Sequence, residues 1–420
     1  MTIAIIIFIL TYILLLALPK YRTYVALISA FLFVILGILP TNKIISSINW
    51  NVLMMIGGTM GTVYLFIESK MPSLMSDLII EKTHSVKWTI IALSLFAGIV
   101  SAFIDNVATV LMIAPVAIEI AKKQNISPVN SIIAISIASN LQGAATLVGD
   151  TTSILLGGYA NMNFLDFFIY QGKPGLFFIV EIGAIVSTLV LVYVFRKDNA
   201  PVTINERTKV LDYFPSFLLG GTVVTLIIAS LLNVEFEYIN GVICISYLLI
   251  GIIRELFKKN IQVIKLVIKE IDWMSLGLLT GLFIVVAGIS EAGVIDAVAN
   301  LFVKLAGNNK FLIYTLIVWA SVVFSAFIDN IPYVATMLPV TQGISAVLGI
   351  DPTLLYFGLL IGATLGGNNT PVGASANITS LGILRKEGYE VKSKDFMKIS
   401  VPFTLSAVVT GYLLVWFIFA

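Results

Sequence analysis

The sequence predicts an all-α polytopic membrane protein built from two inverted repeats, and three observations carry that prediction. First, 59% of the 420 residues are apolar, only 11% are charged, and the mean hydropathy is +1.02. Water-soluble domains carry about a quarter charged residues. Here many runs instead approach the ~20 apolar residues that cross a bilayer as helix. Second, Ser-Ala-Phe-Ile-Asp-Asn occurs at 101–106 and again at 325–330, 224 residues later. The same offset pairs Pro115 with Pro339, Leu141 with Leu365, Gly143 with Gly367, Thr146 with Thr370, and Val148-Gly149 with Val372-Gly373. That is an internal repeat. Third, the charges sit between the apolar runs and sort by side of the membrane.

The first repeat, 1–195, opens with spans at 3–19, 24–40 and 51–68. The first run has no basic stretch before it and no small-residue cleavage site, so it reads as a retained span. A short amphipathic segment follows from Pro72 to Thr83. Residues 88–122 form two apolar arms around Asp105-Asn106, each too short for a crossing once the polar tip is set aside. They read as a re-entrant helical hairpin, which is permitted where its tip lines a wet cavity or is buried in protein. Residues 128–159 read as one crossing broken at 140–150, where Gly143 and Gly149 weaken a helix. Span 174–195 closes the repeat.

A charged linker, 196–213, is expected in the cytoplasm. The second repeat, 214–420, has spans at 214–232, 236–254 and 273–291. It continues with a hairpin at 310–347 around Asp329-Asn330, a broken helix at 352–383 interrupted at 366–377, and a last span at 398–419. Ile48, Trp50 and Glu68 match Ile271, Trp273 and Glu291 at an offset of 223. Residues 258–272 add a basic amphipathic segment suited to an anionic leaflet.

Each repeat thus has five crossings, a re-entrant hairpin and a broken helix. An odd number of crossings inverts the second repeat. Sorting loops on this plan leaves only Lys43, Lys173, Lys304 and Lys310 on one side and the other 21 of the 25 basic residues opposite. The positive-inside rule makes the richer side cytoplasmic and puts both termini outside the cytoplasm. The expected location is the plasma membrane, multi-pass.

Two opposed hairpins and two broken helices place four helix breaks near the midplane. Free N–H groups at such breaks attract anions and free carbonyls coordinate cations. Asn106, Thr109, Asn140, Thr146, Asn330, Asn368, Asn369, Thr370, Ser375 and Asn377 add neutral donors and acceptors there. Asp105 and Asp329 are acids at the two tips, where a carboxylate is costly unless paired, hydrated or protonated. They read as proton or Na+ carriers, with Na+ at Asp105, Asn106, Asp329 and Asn330. The competing reading is a helix cap, since Asp at a break accepts N–H bonds. Asp150, whose repeat mate is Ala374, is an asymmetric coupling candidate. Glu68 and Glu291 sit near span ends and read as interfacial.

The same residues exclude other classes. A lone Cys244 rules out an internal disulfide and a multi-thiolate metal centre, and His84 lies in a polar loop. No Gly-x-x-x-x-Gly-Lys-Ser/Thr loop marks an ATPase. Val148-Gly149-Asp150 lacks the Gly-x-Gly-Asp pattern of intramembrane aspartyl proteases. The chain therefore reads as a membrane transporter rather than an enzyme. No cofactor and no nucleic-acid partner are expected, and H+ or Na+ is the expected coupling ion.

Phe-Ile-Asp-Asn-Val-Ala-Thr (103–109), Phe-Ile-Asp-Asn-Ile-Pro-Tyr (327–333) and Gly-Gly-Asn-Asn-Thr-Pro-Val-Gly-Ala-Ser-Ala-Asn (366–377) resemble the ion transporter superfamily. The resemblance covers nearly the whole chain. It is to the branch of arsenite/antimonite permeases and the pink-eyed dilution (P) protein. Divalent anion/sodium symporters are more distant. Their tip Ser-Asn-Thr motifs fall on Asp105-Asn106-Val107 and Asp329-Asn330-Ile331, and the added acids oppose a dianion. The branch is also similar to sodium/proton antiporters with membrane-buried acids. The resemblance implies a homodimer with a scaffold and an elevator-like transport domain, and a soluble ATPase subunit where such a permease works as a pump. The expected function is ion-coupled secondary transport of a small inorganic or organic solute, first as proton-coupled arsenite/antimonite efflux. Na+/H+ antiport, oxyanion or dicarboxylate/citrate-like transport, and an anion channel are the alternatives.

Overall fold

The computed structural model describes residues 1–202, 207–232, 234–307 and 309–420. Residues 203–206 of the expected linker lie outside the described residues. The first half contains α1 (Thr2–Ala17), α2 (Arg22–Ile35), the single turn α3 (Ile44–Ser47), α4 (Trp50–Glu68), α5 (Met71–Lys82), α6 (Val86–Ser101), α7 (Asn106–Lys123), α8 (Val129–Gly143), α9 (Thr151–Tyr159) and α10 (Leu176–Val194). The second contains α11 (Phe214–Leu231), α12 (Ile239–Phe257), α13 (Ile261–Glu270), α14 (Trp273–Glu291), α15 (Val294–Ala306), α16 (Lys310–Ser325), α17 (Asn330–Leu348), α18 (Thr353–Leu360), α19 (Ser375–Lys386) and α20 (Ser393–Phe419). A two-residue antiparallel ladder, β1 (Ile169–Tyr170) with β2 (Lys173–Pro174), precedes α10.

Among the described residues, seven helical stretches are long and apolar enough to cross a bilayer, and α1 with α2, bent by 114°, makes an eighth candidate. The arms α6 and α16 have 16 residues each. At 1.5 Å per residue that is about 24 Å, short of a ~30 Å hydrocarbon core. Each instead turns back at its acid: the chain reverses at 102–105 into α7 and at 326–329 into α17. An asparagine and an aspartate cap start α4 and α14. Asn49 accepts from the Val52 N–H, and its repeat mate Asp272 from the Ser275 N–H, satisfying donors that a helix start leaves free.

Three local features depart from the sequence reading. Helix α2 stops at Ile35, five residues early, because the chain turns through Gly37 at φ +66°. Helix α15 was not expected, although it is the repeat counterpart of α5. The second broken helix passes through a π-helical stretch, Ile361–Leu365, before its break.

The helices form two groups. In the first, α4 lies against α12 and α2 against α14. Glycine makes both contacts possible. A Cβ on Gly58 would fall 2.5 Å from the Cys244 backbone, and one on Gly281 would fall 2.7 Å from that of Ala26. Small residues are how helices approach closely where lipid supplies no hydrophobic drive. In the second group the hairpins, the broken helices, α10 and α20 pack on one another. Here the repeats interleave, with α7 resting on α19 and α17 on α9. Large apolar side chains such as Ile185, Leu189 and Phe217 face outward on α10 and α11, as a lipid-facing surface requires.

Candidate functional site

Each hairpin tip is built the same way. The Asp105 carboxylate accepts the Val107 and Ala108 N–H groups at 3.0 and 3.1 Å, and Asp329 accepts the Ile331 N–H at 3.1 Å. Both acids therefore cap the second arm. The break of the neighbouring broken helix is then folded onto the tip. Thr146 donates to the Ala102 carbonyl, and its mate Thr370 donates to the Ala326 carbonyl. Gly149 and Gly373 carry the chain past the tip where no side chain fits. A Cβ on either would meet a glycine carbonyl of its own break at 2.5 Å and a tip carbonyl at 2.7 Å.

Amides tie the two repeats together. Asn106 donates to Asn140 at 2.9 Å, and Asn140 donates to the Thr364 carbonyl at 3.0 Å. Asn140 and Thr364 are themselves 224 residues apart, so repeat mates meet at the centre. Asn368 donates to the Ile137 carbonyl at 2.9 Å. Asn377 accepts from Ser136 and donates to the Gly367 and Thr370 carbonyls. Thr109 donates to the Asp105 carbonyl, and the Asn369 carbonyl accepts from Ser400. Thr109, Asn140, Thr146, Asn368, Asn369, Thr370 and Asn377 thus form the frame behind the tips.

A cavity of about 180 Å³ lies against this frame. Asp105, Asn106, Asp150, Asn330 and Ser375 line it, with Thr151 beside them at the start of α9. Its other wall comes from the first helix group: Met60, Val63, Tyr64 and Ile67 of α4, then Glu270, Asp272 and Ser275 where α14 begins. Asp150 and Thr151 are buried, and Thr152 donates to Asp150 at 2.7 Å while sharing a 2.8 Å hydrogen bond with Thr364. The lining holds four carboxylates and no Lys, Arg or His. In a low-dielectric setting that field favours a cation, a proton or a neutral hydrogen-bonding solute over an anion.

Asp329 is placed differently from its mate. It is not in the cavity lining; its carboxylate is 2.6 Å from the guanidinium of Arg22, the first residue of α2. Arg22 follows an apolar run directly in the sequence and is counted there only among the 21 basic residues of the richer side; nothing in that position signals a turn inward. Glu270, Asp272 and Ser275 were also missed. The one available signal was the 223-residue offset, which makes Asp272 the counterpart of the cap Asn49 and carries it to the mouth of the site.

A second recess lies at the opposite end. Phe283, Val286, Ala287 and Ser290 of α14 line it with Ala335, Leu338 and Pro339 of α17. The α14 residues are the mates of Met60, Val63, Tyr64 and Ile67, and Ala335 is the mate of Leu111, which also lines the first cavity. The molecule therefore carries one vestibule twice. The first reaches the hairpin tips. The lining of the second includes neither tip nor Asp150.

Two sequence repeats, each with a re-entrant hairpin and a broken helix, around a carboxylate-lined cavity mark a membrane transporter rather than an enzyme. The particular family follows from comparison: the chain belongs to the citrate transporter family (CitMHS), which matches residues 6–362. An uncharacterized transporter of Mycobacterium tuberculosis is 28% identical, covering 99% of this chain and 97% of that one. The human P protein is 26% identical over 89% of this chain, which spans 54% of that longer protein. Among solved structures, the Alcanivorax borkumensis YdaH transporter shares the fold with a TM-score of 0.59 at 16% identity, covering 89% of this chain and 86% of that one. Neisseria gonorrhoeae MtrF, described as illuminating a class of antimetabolite efflux pumps, gives 0.54 at 14% identity, with 89% and 83% covered.

Proposed function

We propose that the chain is an ion-coupled secondary transporter that exports a small neutral hydroxylated solute of the arsenite/antimonite type in exchange for protons. The acid-lined, base-free cavity carries this reading. Arsenous acid is uncharged near neutral pH, so amides, hydroxyls and carboxylates can hydrogen-bond it without charge repulsion. A free citrate or other polyanion would meet four carboxylates, which argues against a citrate-like substrate here despite the family's description. The doubled vestibule supports alternating access: exchanging the environments of the two repeats would close one recess and deepen the other. The two recesses lie at opposite ends and share no lining residue, which supports a carrier over an open anion channel.

The same carboxylates support a second reading, Na+/H+ antiport, in which Asp105 and Asp150 exchange the two cations. Proteoliposomes containing a pH-sensitive dye separate the two. Arsenite or antimonite added to the lumen should evoke proton entry that Na+, Li+ and citrate do not. Proton flux evoked by Na+ alone would sink the first reading in favour of the second. Flux evoked by citrate alone would sink both.

A further inference from the structure

Arg22 joins the two helix groups at one point. Helix α2 lies against α14 in the first group, while Asp329 sits on the tip of the α16–α17 hairpin in the second. The two charges are 2.6 Å apart, and the Asp329 carboxylate is almost wholly removed from solvent. Tyr12 of α1 holds the same tip, donating to the Pro332 carbonyl at 2.7 Å and sharing a hydrogen bond with Thr336.

The internal repeat shows what the opposite arrangement would lack. Gly281 meets Ala26 as Gly58 meets Cys244, and Thr23 reaches Met274 as Gly241 reaches Asn51. Those contacts equate α2 with α12 at an offset of 218 residues. The counterpart of Arg22 is then Asn240, buried and uncharged. Exchanging the environments of the repeats would move Asp329 away from Arg22 and bring Asp105 to Asn240. One arrangement gives Asp329 a fixed cation. The other leaves a carboxylate inside the membrane that must take up a cation from outside.

We propose that Arg22 is a tethered stand-in for the coupling cation. Building on the transporter reading, it deepens it by naming where the ion is discharged. In the opposite arrangement Asp329 carries H+ or Na+. As the cavity opens at the α4–α14 end, the guanidinium takes that place and the ion leaves to the water in the cavity. Only an O–H bond or an ionic contact is broken, and the carboxylate keeps one counter-charge throughout. Arg22 acts as a positioning residue; it need not touch the solute. Besides Arg22, the titratable groups on the elements packed at this tip are Tyr12 on α1, Tyr333 on α17 and Asp150 at the start of α9; Asp105 and Asp272 line the cavity, which Asp329 does not.

Thermal unfolding of the purified full chain tests this without a known solute. Parent, Arg22→Gln, Arg22→Lys and the Arg22→Gln/Asp329→Asn pair are melted in NaCl against choline chloride at one ionic strength, and from mildly acid to mildly alkaline pH. Arg22→Gln should acquire stabilisation by Na+ or by acid, with a midpoint at least about tenfold more favourable than in the parent. A response in the NaCl arm alone names Na+, and one in the pH arm alone names the proton. Arg22→Lys keeps the charge and should melt like the parent. The double variant should lose the response. An Arg22→Gln protein that responds like the parent in both arms overturns the proposal, and so does a response that survives in the double variant. If Arg22→Gln folds only in Na+ or acid, the proposal stands; if Arg22→Lys acquires the cation response, it falls. A parent that moves no protons in proteoliposomes would sink the transporter reading while leaving these melting outcomes to stand by themselves.

Discussion

Asp105 and Asp329 end the same six-residue string, and each caps the helix that follows it. Their surroundings separate them. Asp105 faces a cavity already holding three other carboxylates, whereas Asp329 is paired to Arg22. Asparagine caps a helix as well as aspartate does. Asp105→Asn should therefore change stability by less than about 0.5 kcal/mol, or raise it by relieving like-charge repulsion, while ion-coupled flux falls to background. Asp329→Asn should cost more, because it strands a guanidinium. Fully buried pairs lose about 3–5 kcal/mol when one partner is removed, and Arg22 keeps some access to water, so about 2 kcal/mol is expected. Urea or thermal melts of the two variants in detergent check the asymmetry. Equal losses would mean that the ion pair does not hold the hairpin, and full coupled flux in both would reduce the two acids to caps.

At the scale of elements, the breaks rather than the helices decide where the site lies. Gly149 and Gly373 each pass within a methyl's reach of three carbonyls, one in the broken helix and two at the hairpin tip. Neither backbone can retreat without losing the threonine hydrogen bonds to Ala102 and Ala326. Gly149→Ala and Gly373→Ala should each cost about 1–3 kcal/mol from overpacking, in line with crowded cores. Gly382→Ala, where a Cβ meets open space, is the matched control and should be neutral or slightly stabilising. Two equal melting curves for Gly149→Ala and Gly382→Ala would refute the close approach. These breaks were legible because glycine and polar residues interrupt apolar runs at the same spacing twice. The hairpins were legible because their arms are too short to cross. The π-helical stretch at 361–365 was not legible, since Ile-Gly-Ala-Thr-Leu has no breaker pattern of its own. Helix α15 was hidden because its repeat relation to α5 rests on position rather than on shared residues. Within the site, frame and lining could not be told apart from residue type. Asn140 and Asn330 are equally polar in sequence, and only packing turns the first toward Thr364 and the second toward the cavity.

At the scale of the whole molecule, the two vestibules make the inversion of the repeats testable. Met60 on α4 and Phe283 on α14 are repeat mates, and each lines the vestibule of its own end. If the repeats are inverted, these mates face opposite sides of the membrane although they hold equivalent places. The charge distribution adds a sign. The end of α4 and the start of α14 adjoin Lys70 and Lys269, both on the side that carries 21 of the 25 basic residues. On that plan the deep cavity is expected to open to the cytoplasm. With the buried Cys244 replaced by Ala, a membrane-impermeant maleimide should label Met60→Cys in inside-out vesicles and not in right-side-out ones. Phe283→Cys should show the reverse. Labelling of both from one side would make the repeats parallel, which an even number of crossings per repeat would require. Opposite labelling with the sides exchanged would keep the inversion but turn the protein over, placing the deep cavity outside and reversing the direction in which Arg22 would discharge its ion.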